Sequence, residues 1–519
     1  MPDPRDGCSS DGRRVPMAAG MRVTAALLAA LAAAALCATS ARADVAVGVA
    51  DDHGKYAEDG GNEFFGTLRE VGMAENRMTV LWDATRPTTI VEKPFLDRSL
   101  PTAAARGVRI VLAVYPLRPT GVTSTPDGAA RFAEFVAQLA RTYPQVRHFV
   151  IGNEPNQPRF WQPQFAPDGS RVAAATFAEM LARCYDALKA VDASIRVIGI
   201  GLSERGNDNA AAPSNASTSP VRFLRDLGAA YRASGRTAPL MDELDFHPYP
   251  ESPRDPLVKA YAWPSVGIGN VDRLKQAIWD AFAGTGQPTV EDGLRLRVGE
   301  TGWQVGIVPS AAGAYTGAEN VAVTDEAAQA SIYGRLVRLA ACDRAIAAVH
   351  LFGLHDERDL DRFQAALVRA DGSRRAAFDT VQAVLAETGG RCTGAPVSWR
   401  HTTQVLGAAA AWGELGPSFW KRTAWSFAVT AAEEATFAGS IHRLPQNPKQ
   451  HAAALRALQR TRGKAVLEAT GTVRAHWSPR VVFPSRRLER GTYVYRVQLR
   501  ATMNPGRSTT LVSRPFVVR

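Results

Sequence analysis

The sequence predicts an α/β protein: a (β/α)8 TIM barrel followed by a small C-terminal β-sandwich domain. Two observations carry that prediction. Between Asp44 and about residue 390, eight short apolar runs alternate with amphipathic stretches of helical period. Most of the runs are nearly continuous in hydrophobic residues, as parallel strands buried on both faces require. Past Gly394 the pattern shifts to period two, the mark of half-exposed strands.

The barrel strands are expected at Val45–Ala50, Arg77–Trp82, Val108–Tyr115, Val146–Gly152, Ile195–Gly201, Met241–His247, Leu294–Gly299 and Ile346–Phe352. Helices are legible at Asp127–Thr142, Ala173–Val191, Val221–Ala233, Val271–Phe282, Asp325–Ala341 and Ser373–Glu387. In the first of these, Phe132, Phe135, Val136 and Leu139 recur at helical spacing. Asp325 and Ser373 stand where a side-chain oxygen can cap free N–H groups. A doubly wound open sheet would carry a Gly-rich phosphate turn after its first strand, and Val45–Asp52 has none.

In the C-terminal part, Thr423–Thr430, Ala435–His442, Lys464–Trp477 and Tyr493–Thr502 alternate like strands. Tyr493, Tyr495, Val497 and Leu499 would share one face. Glu489-Arg490-Gly491 and Asn504-Pro505-Gly506 supply turns. This reads as an immunoglobulin- or fibronectin-like sandwich over residues 393–519. A helical stretch, Lys449–Gln459, interrupts it.

At the other end, Arg13, Arg14 and Arg22 precede an Ala/Leu run ending at Leu36, and Ala41-Arg42-Ala43 resembles a peptidase site. Residues 1–43 are therefore expected to be a signal peptide, leaving a secreted chain with no transmembrane segment. Export makes disulfides possible. Of Cys184, Cys342 and Cys392, the last two flank the end of the barrel and are the expected pair, with Cys184 a buried thiol. No cysteine or histidine spacing resembles a metal site, and no cofactor is expected. Residues 393–519 hold 19 Lys and Arg against five Glu. No nucleic-acid motif accompanies this charge, which points to an anionic envelope or polysaccharide contact or to simple solubility.

In a TIM barrel, residues at the carboxyl ends of the strands face the active site. The fourth run continues into Asn153-Glu154-Pro155-Asn156, and the seventh into Glu300-Thr301-Gly302-Trp303. Hydrolysis of a glycosidic bond with retention needs one protonated and one ionised carboxyl group, about 5–5.5 Å apart. Strands four and seven stand nearly opposite, so two glutamates can meet across the mouth. The sixth run adds His247 and Tyr249. A tyrosine hydroxyl bonded to Glu300 would hold it ionised and oriented, while the nearby anion disfavours loss of the proton from Glu154. Asn153 can donate to a sugar hydroxyl, and Trp303 offers a platform for a sugar ring. His247, Tyr249 and Trp82, at their strand ends, are further substrate-binding candidates and His355 stands at another, whereas Asp51-Asp52-His53 reads as a solvated loop. An isolated Asn-Glu-Pro often merely ends a strand; the weight lies in the conjunction.

These motifs together resemble the clan of retaining glycoside hydrolases that includes cellulase family 5 and the xylosidase-like family 39. The resemblance covers residues 44–390 in strand order. It implies Glu154 as acid/base, Glu300 as nucleophile, and His247 with Tyr249 as support for the nucleophile. The chain departs from the pattern in two places. The end of the eighth run reads Leu351-Phe352-Gly353-Leu354-His355-Asp356, where relatives often carry tryptophan. Near strands two and three, where family 5 has an arginine and a histidine, only Trp82-Asp83 and Tyr115-Pro116-Leu117-Arg118 stand out. Family 39 or an uncharacterised relative fits better than an endocellulase. The expectation is a retaining glycosidase of a β-linked poly- or oligosaccharide; the alternatives are a non-catalytic carbohydrate-binding protein or an envelope-adhesion protein on the same scaffold.

Overall fold

The computed structural model describes residues 44–411 and 425–518. The leader segment, and Thr423 at the expected start of one sandwich strand, lie outside the described residues. Eight strands close a parallel barrel in chain order: β1 (Ala46–Ala50), β2 (Glu75–Trp82), β3 (Arg109–Pro116), β4 (His148–Ile151), β5 (Arg196–Ser203), β6 (Glu243–His247), β7 (Arg295–Thr301) and β8 (Ile346–Phe352). β8 pairs back onto β1, as a barrel requires. The helices between them are α1 (His53–Tyr56), α2 (Asn62–Glu70), α3 (Lys93–Ala105), α4 (Gly128–Thr142), α5 (Ala173–Val191), α6 (Pro220–Ala233), α7 (Val271–Phe282), α8 (Glu326–Cys342) and α9 (Ala376–Thr388).

Each of the eight expected strands is present, with ends moved by at most two residues. Asp325 caps α8 as expected, its carboxylate accepting from the Ala328 N–H at 2.7 Å. Ser373 does not cap α9. That helix starts at Ala376, three residues later, and the Ser373 hydroxyl bonds Asp371 instead. Cys342 and Cys392 form a disulfide, while Cys184 is a buried free thiol. The barrel interior also carries charge: buried Glu75 bonds Arg297 and His350, and Arg297 bonds Glu243 at 3.0 Å. Buried charges of this kind must be paired and hydrogen-bonded to be tolerated.

Beyond the disulfide come β9 (Gly407–Ala411), β10 (Ser426–Ala431), β11 (Ala435–Arg443), α10 (His451–Arg460), β12 (Leu467–Val473), β13 (Arg480–Val482), β14 (Gly491–Ala501), β15 (Ser508–Val512) and β16 (Phe516–Val518). They form two antiparallel sheets, β13-β10-β9 and β12-β11-β14-β15, with β16 beside β14. One apolar cluster unites them, and Tyr493, Tyr495, Val497 and Leu499 all belong to it. The interrupting helical stretch is α10, whose Leu458 packs on Leu444 and Val494. These sheets belong to the same compact unit as the barrel. Among the described residues, no helix is long and apolar enough to cross a membrane.

Candidate active site

A cavity of about 1840 Å³ opens at the carboxyl ends of the barrel strands, and Glu154 and Glu300 both line it. One oxygen of each carboxylate and one nitrogen of His247 lie within 4.8 Å of one another. The two glutamates come from the ends of β4 and β7, as expected from the sequence.

The backbone is shaped to present them. Glu154 has a left-handed φ of 42°, and its N–H donates to the Gly201 carbonyl at 2.7 Å. That carbonyl sits in a bulge of β5, where Ile200 and Gly201 are both left-handed (φ 86° and 61°). A β-branched residue with positive φ is rare and strained, and such strain gathers at functional sites. On β7 the register shifts between Val298 and Thr301, so Glu300 leaves the regular ladder. Gly299 permits this: a Cβ there would lie 1.9 Å from Asp245 Oδ1.

Glu300 is held from two sides. Arg77 Nη1 donates to its Oε1 at 2.6 Å, and the Tyr249 hydroxyl donates to its Oε2 at 3.0 Å. Burial, followed by the charges of Glu300 and Glu154, pushes the Tyr249 phenol well above its ordinary range, so it remains a donor. Arg77 Nη2 also donates to Asn153 Oδ1 at 2.9 Å, which leaves the Asn153 NH2 as the group able to donate into the cavity.

His247 is fully buried, with Nδ1 3.1 Å from Glu154 and Nε2 3.4 Å from Asp245. Burial alone would lower its pKa. The Glu300 charge and the bonds to Asp245 and Glu154 outweigh it and raise the value to about 10. The surrounding carboxylates thus favour the protonated form of the ring. Glu154, His247 and Glu300 have the residue types of a cation site.

Three residues expected to bind substrate do not line the cavity: His247, which is buried beneath the two glutamates, Trp82 and Trp303. Trp82 is buried, its indole N–H donating to the Pro87 carbonyl and its ring lying edge-on to Phe132 of α4. Trp303 is 2% exposed, donates to the Asp255 carbonyl and packs on Tyr333 of α8. Neither tryptophan offers a face to a sugar. The aromatic lining is instead Tyr56, Phe64, Tyr115, Phe160, Phe352 and Phe363, with Tyr249. Phe352 and Phe363 flank Tyr249 at ring distances of 6.0 and 5.6 Å.

Arg77 is the main omission of the sequence reading. It occupies the interior of β2 and supplies the arginine that seemed to be lacking. The Asp51-Asp52-His53 segment also lines the cavity, alongside His355. Asp51 bonds His53 Nδ1 at 2.6 Å and accepts from the Leu354 N–H at 2.7 Å, tying the β1 loop to the β8 loop. That bond, against burial, raises His53 to about 9.

No family model and no curated protein matches this chain. Solved structures do. A family 39 glycoside hydrolase from Bacteroides cellulosilyticus WH2 is 15% identical, with 86% of this chain and 81% of that chain covered and a TM-score of 0.45. A GH39 beta-xylosidase from Caulobacter crescentus is 17% identical over 86% of this chain and 94% of its own, with a TM-score of 0.44. GH5_18 from Streptomyces cattleya is 15% identical over 69% and 83%, with a TM-score of 0.46. At these identities the likeness is one of fold alone.

Proposed function

We propose that this protein is a retaining glycoside hydrolase, with Glu300 as nucleophile and Glu154 as acid/base. The observation that carries the reading is the meeting of the two carboxylates, within 4.8 Å, from nearly opposite strands. That approach of their nearest oxygens supports a separation on the order of the 5–5.5 Å typical of double displacement.

The roles follow from the partners. Glu300 receives a guanidinium and a phenol, which hold it as an oriented anion ready to attack the anomeric carbon. Glu154 has neither of these partners, and protonates the leaving oxygen as the glycosidic bond breaks. It then takes a proton from the water that hydrolyses the glycosyl ester. Asn153 donates to the sugar hydroxyl beside the reacting carbon. The Asp51, His53 and His355 side of the cavity suits hydroxyl recognition, and Phe352 and Phe363 suit ring contacts. The substrate class is a β-linked oligo- or polysaccharide. We infer also that the chain is exported by its leader, and that the basic C-terminal sheets favour anionic polymers.

Turnover of a panel of aryl β-glycosides and β-linked polysaccharides tests the reading, with product anomers followed by NMR. A first product of inverted configuration, or full activity in Glu300→Gln, would remove it.

A further inference from the structure

The β5 side of the cavity holds a buried carboxyl group that double displacement does not use. Glu204 directly follows β5, is 3% exposed and lines the cavity. Its side chain accepts from the Ser203 hydroxyl at 3.0 Å and lies 3.4 Å from Arg205 Nε. The loop that carries Glu154 fixes this segment in place. Asn156 Nδ2 donates to the carbonyls of Ser203 and Arg205 at 3.2 and 3.1 Å, and its Oδ1 accepts from the Ser203 N–H at 3.0 Å. Gln157 donates to the Arg205 carbonyl at 2.6 Å, and from the other side the Val266 N–H bonds the Glu204 carbonyl at 2.9 Å. The second asparagine of Asn153-Glu154-Pro155-Asn156 thus couples the acid/base loop to Glu204.

A buried carboxyl group costs free energy to desolvate. Here it faces an open cavity, not a packed core, so a ligand can satisfy it. Accepting Glu154 as the acid, its neighbourhood is where the leaving group departs, because the proton must reach the leaving oxygen. We propose that Glu204 is a specificity residue of the leaving-group subsite and hydrogen-bonds a hydroxyl of the departing sugar. The enzyme then prefers bonds between two sugars over bonds to a leaving group without hydroxyls. Burial and the Glu154 charge, against Arg205, push Glu204 up to about 7. It can therefore donate as well as accept in mildly acidic solution.

The test compares Glu204→Ala and Glu204→Gln in the full chain on two substrates with one glycone: an oligosaccharide and its dinitrophenyl glycoside. Loss of a hydrogen bond to a sugar hydroxyl should lower kcat/KM on the oligosaccharide by about 10–100-fold in Glu204→Ala. The dinitrophenyl glycoside should be turned over nearly as before, and Glu204→Gln, of the same shape, should fall between. Equal losses on both substrates would make Glu204 a structural support of Glu154, and no loss on either would make it a bystander; both overturn the proposal. Failure of the unsubstituted protein to hydrolyse either substrate would instead overturn the glycosidase reading on which this one rests.

Discussion

Arg77 reaches from the second strand to the seventh and closes on Glu300 at 2.6 Å. The same guanidinium bonds Asn153 and lies 3.6 Å from Asp245, so one side chain fixes groups from three other strands. Lysine presents a point charge and cannot reproduce that fork. Arg77→Lys should lower kcat by about 10²–10³-fold, the loss seen when one preorganised donor is removed. Steady-state kinetics on an aryl glycoside would check this; an unchanged kcat would make the pair purely structural.

Gly299 is the residue on which the aim of Glu300 depends. A methyl group there meets the Asp245 carboxylate, with Oδ1 at 1.9 Å, on a short side chain that His247 and Arg77 hold in place. Gly299→Ala should therefore displace Asp245 from His247 and Arg77 and lower both Tm and kcat. In an Asp245→Ala background the obstructing oxygens are gone. The stability cost of the glycine substitution should then shrink by about 1–3 kcal/mol, read as coupling in a double-mutant cycle. Additive costs would refute the contact.

Much of this site was legible, and each miss has a physical cause. Parallel strands buried on both faces appear as apolar runs, so the ends that carry Glu154, Glu300 and His247 announce themselves. Attention to strand ends, however, passes over the interior of a strand. Arg77 stands five residues before the end of β2, and its charge within an apolar run is the signal that it points into the barrel. Alternation along the strand then settles Trp82. Arg77 and Thr79 line the cavity, so Trp82, an odd number of positions from both, faces the helices. For Trp303 no such parity is available, because it lies past the strand in a loop whose path depends on Tyr333 of α8. The displaced start of α9 was hidden for a similar reason, since Ser373 had a nearer partner in Asp371.

His247 makes a prediction about pH. A histidine that binds its proton more tightly when folded stabilises the protein fully below the unfolded value of 6.5, and loses that contribution as pH rises through about 10. Unfolding free energy should thus fall across that window, by up to about 1.4 kcal/mol per pH unit for one proton. In His247→Gln this component should vanish while the milder one from His53 persists. Urea unfolding at pH 6, 8 and 10 measures both, and parallel curves for the two proteins would show that His247 is neutral in the fold.

Arg507 poses the same electrostatic problem where the C-terminal sheets meet the barrel. Its guanidinium bonds Glu433 in the β10–β11 turn and lies 3.2 Å from Asp280 of α7, which Asn504 also bonds at 3.1 Å. Burial pushes both carboxyl groups up, and Arg507 is what counters it. Removal of one partner from a buried ionic cluster leaves charge uncompensated, at a cost of about 3–5 kcal/mol. Arg507→Met should be destabilised by that order at pH 8, where both acids would otherwise be ionised. At pH 5 protonation neutralises them in part, and the loss should be smaller. An equal loss at both values, by urea unfolding of the full chain, would mean that the arginine acts through its shape and not its charge.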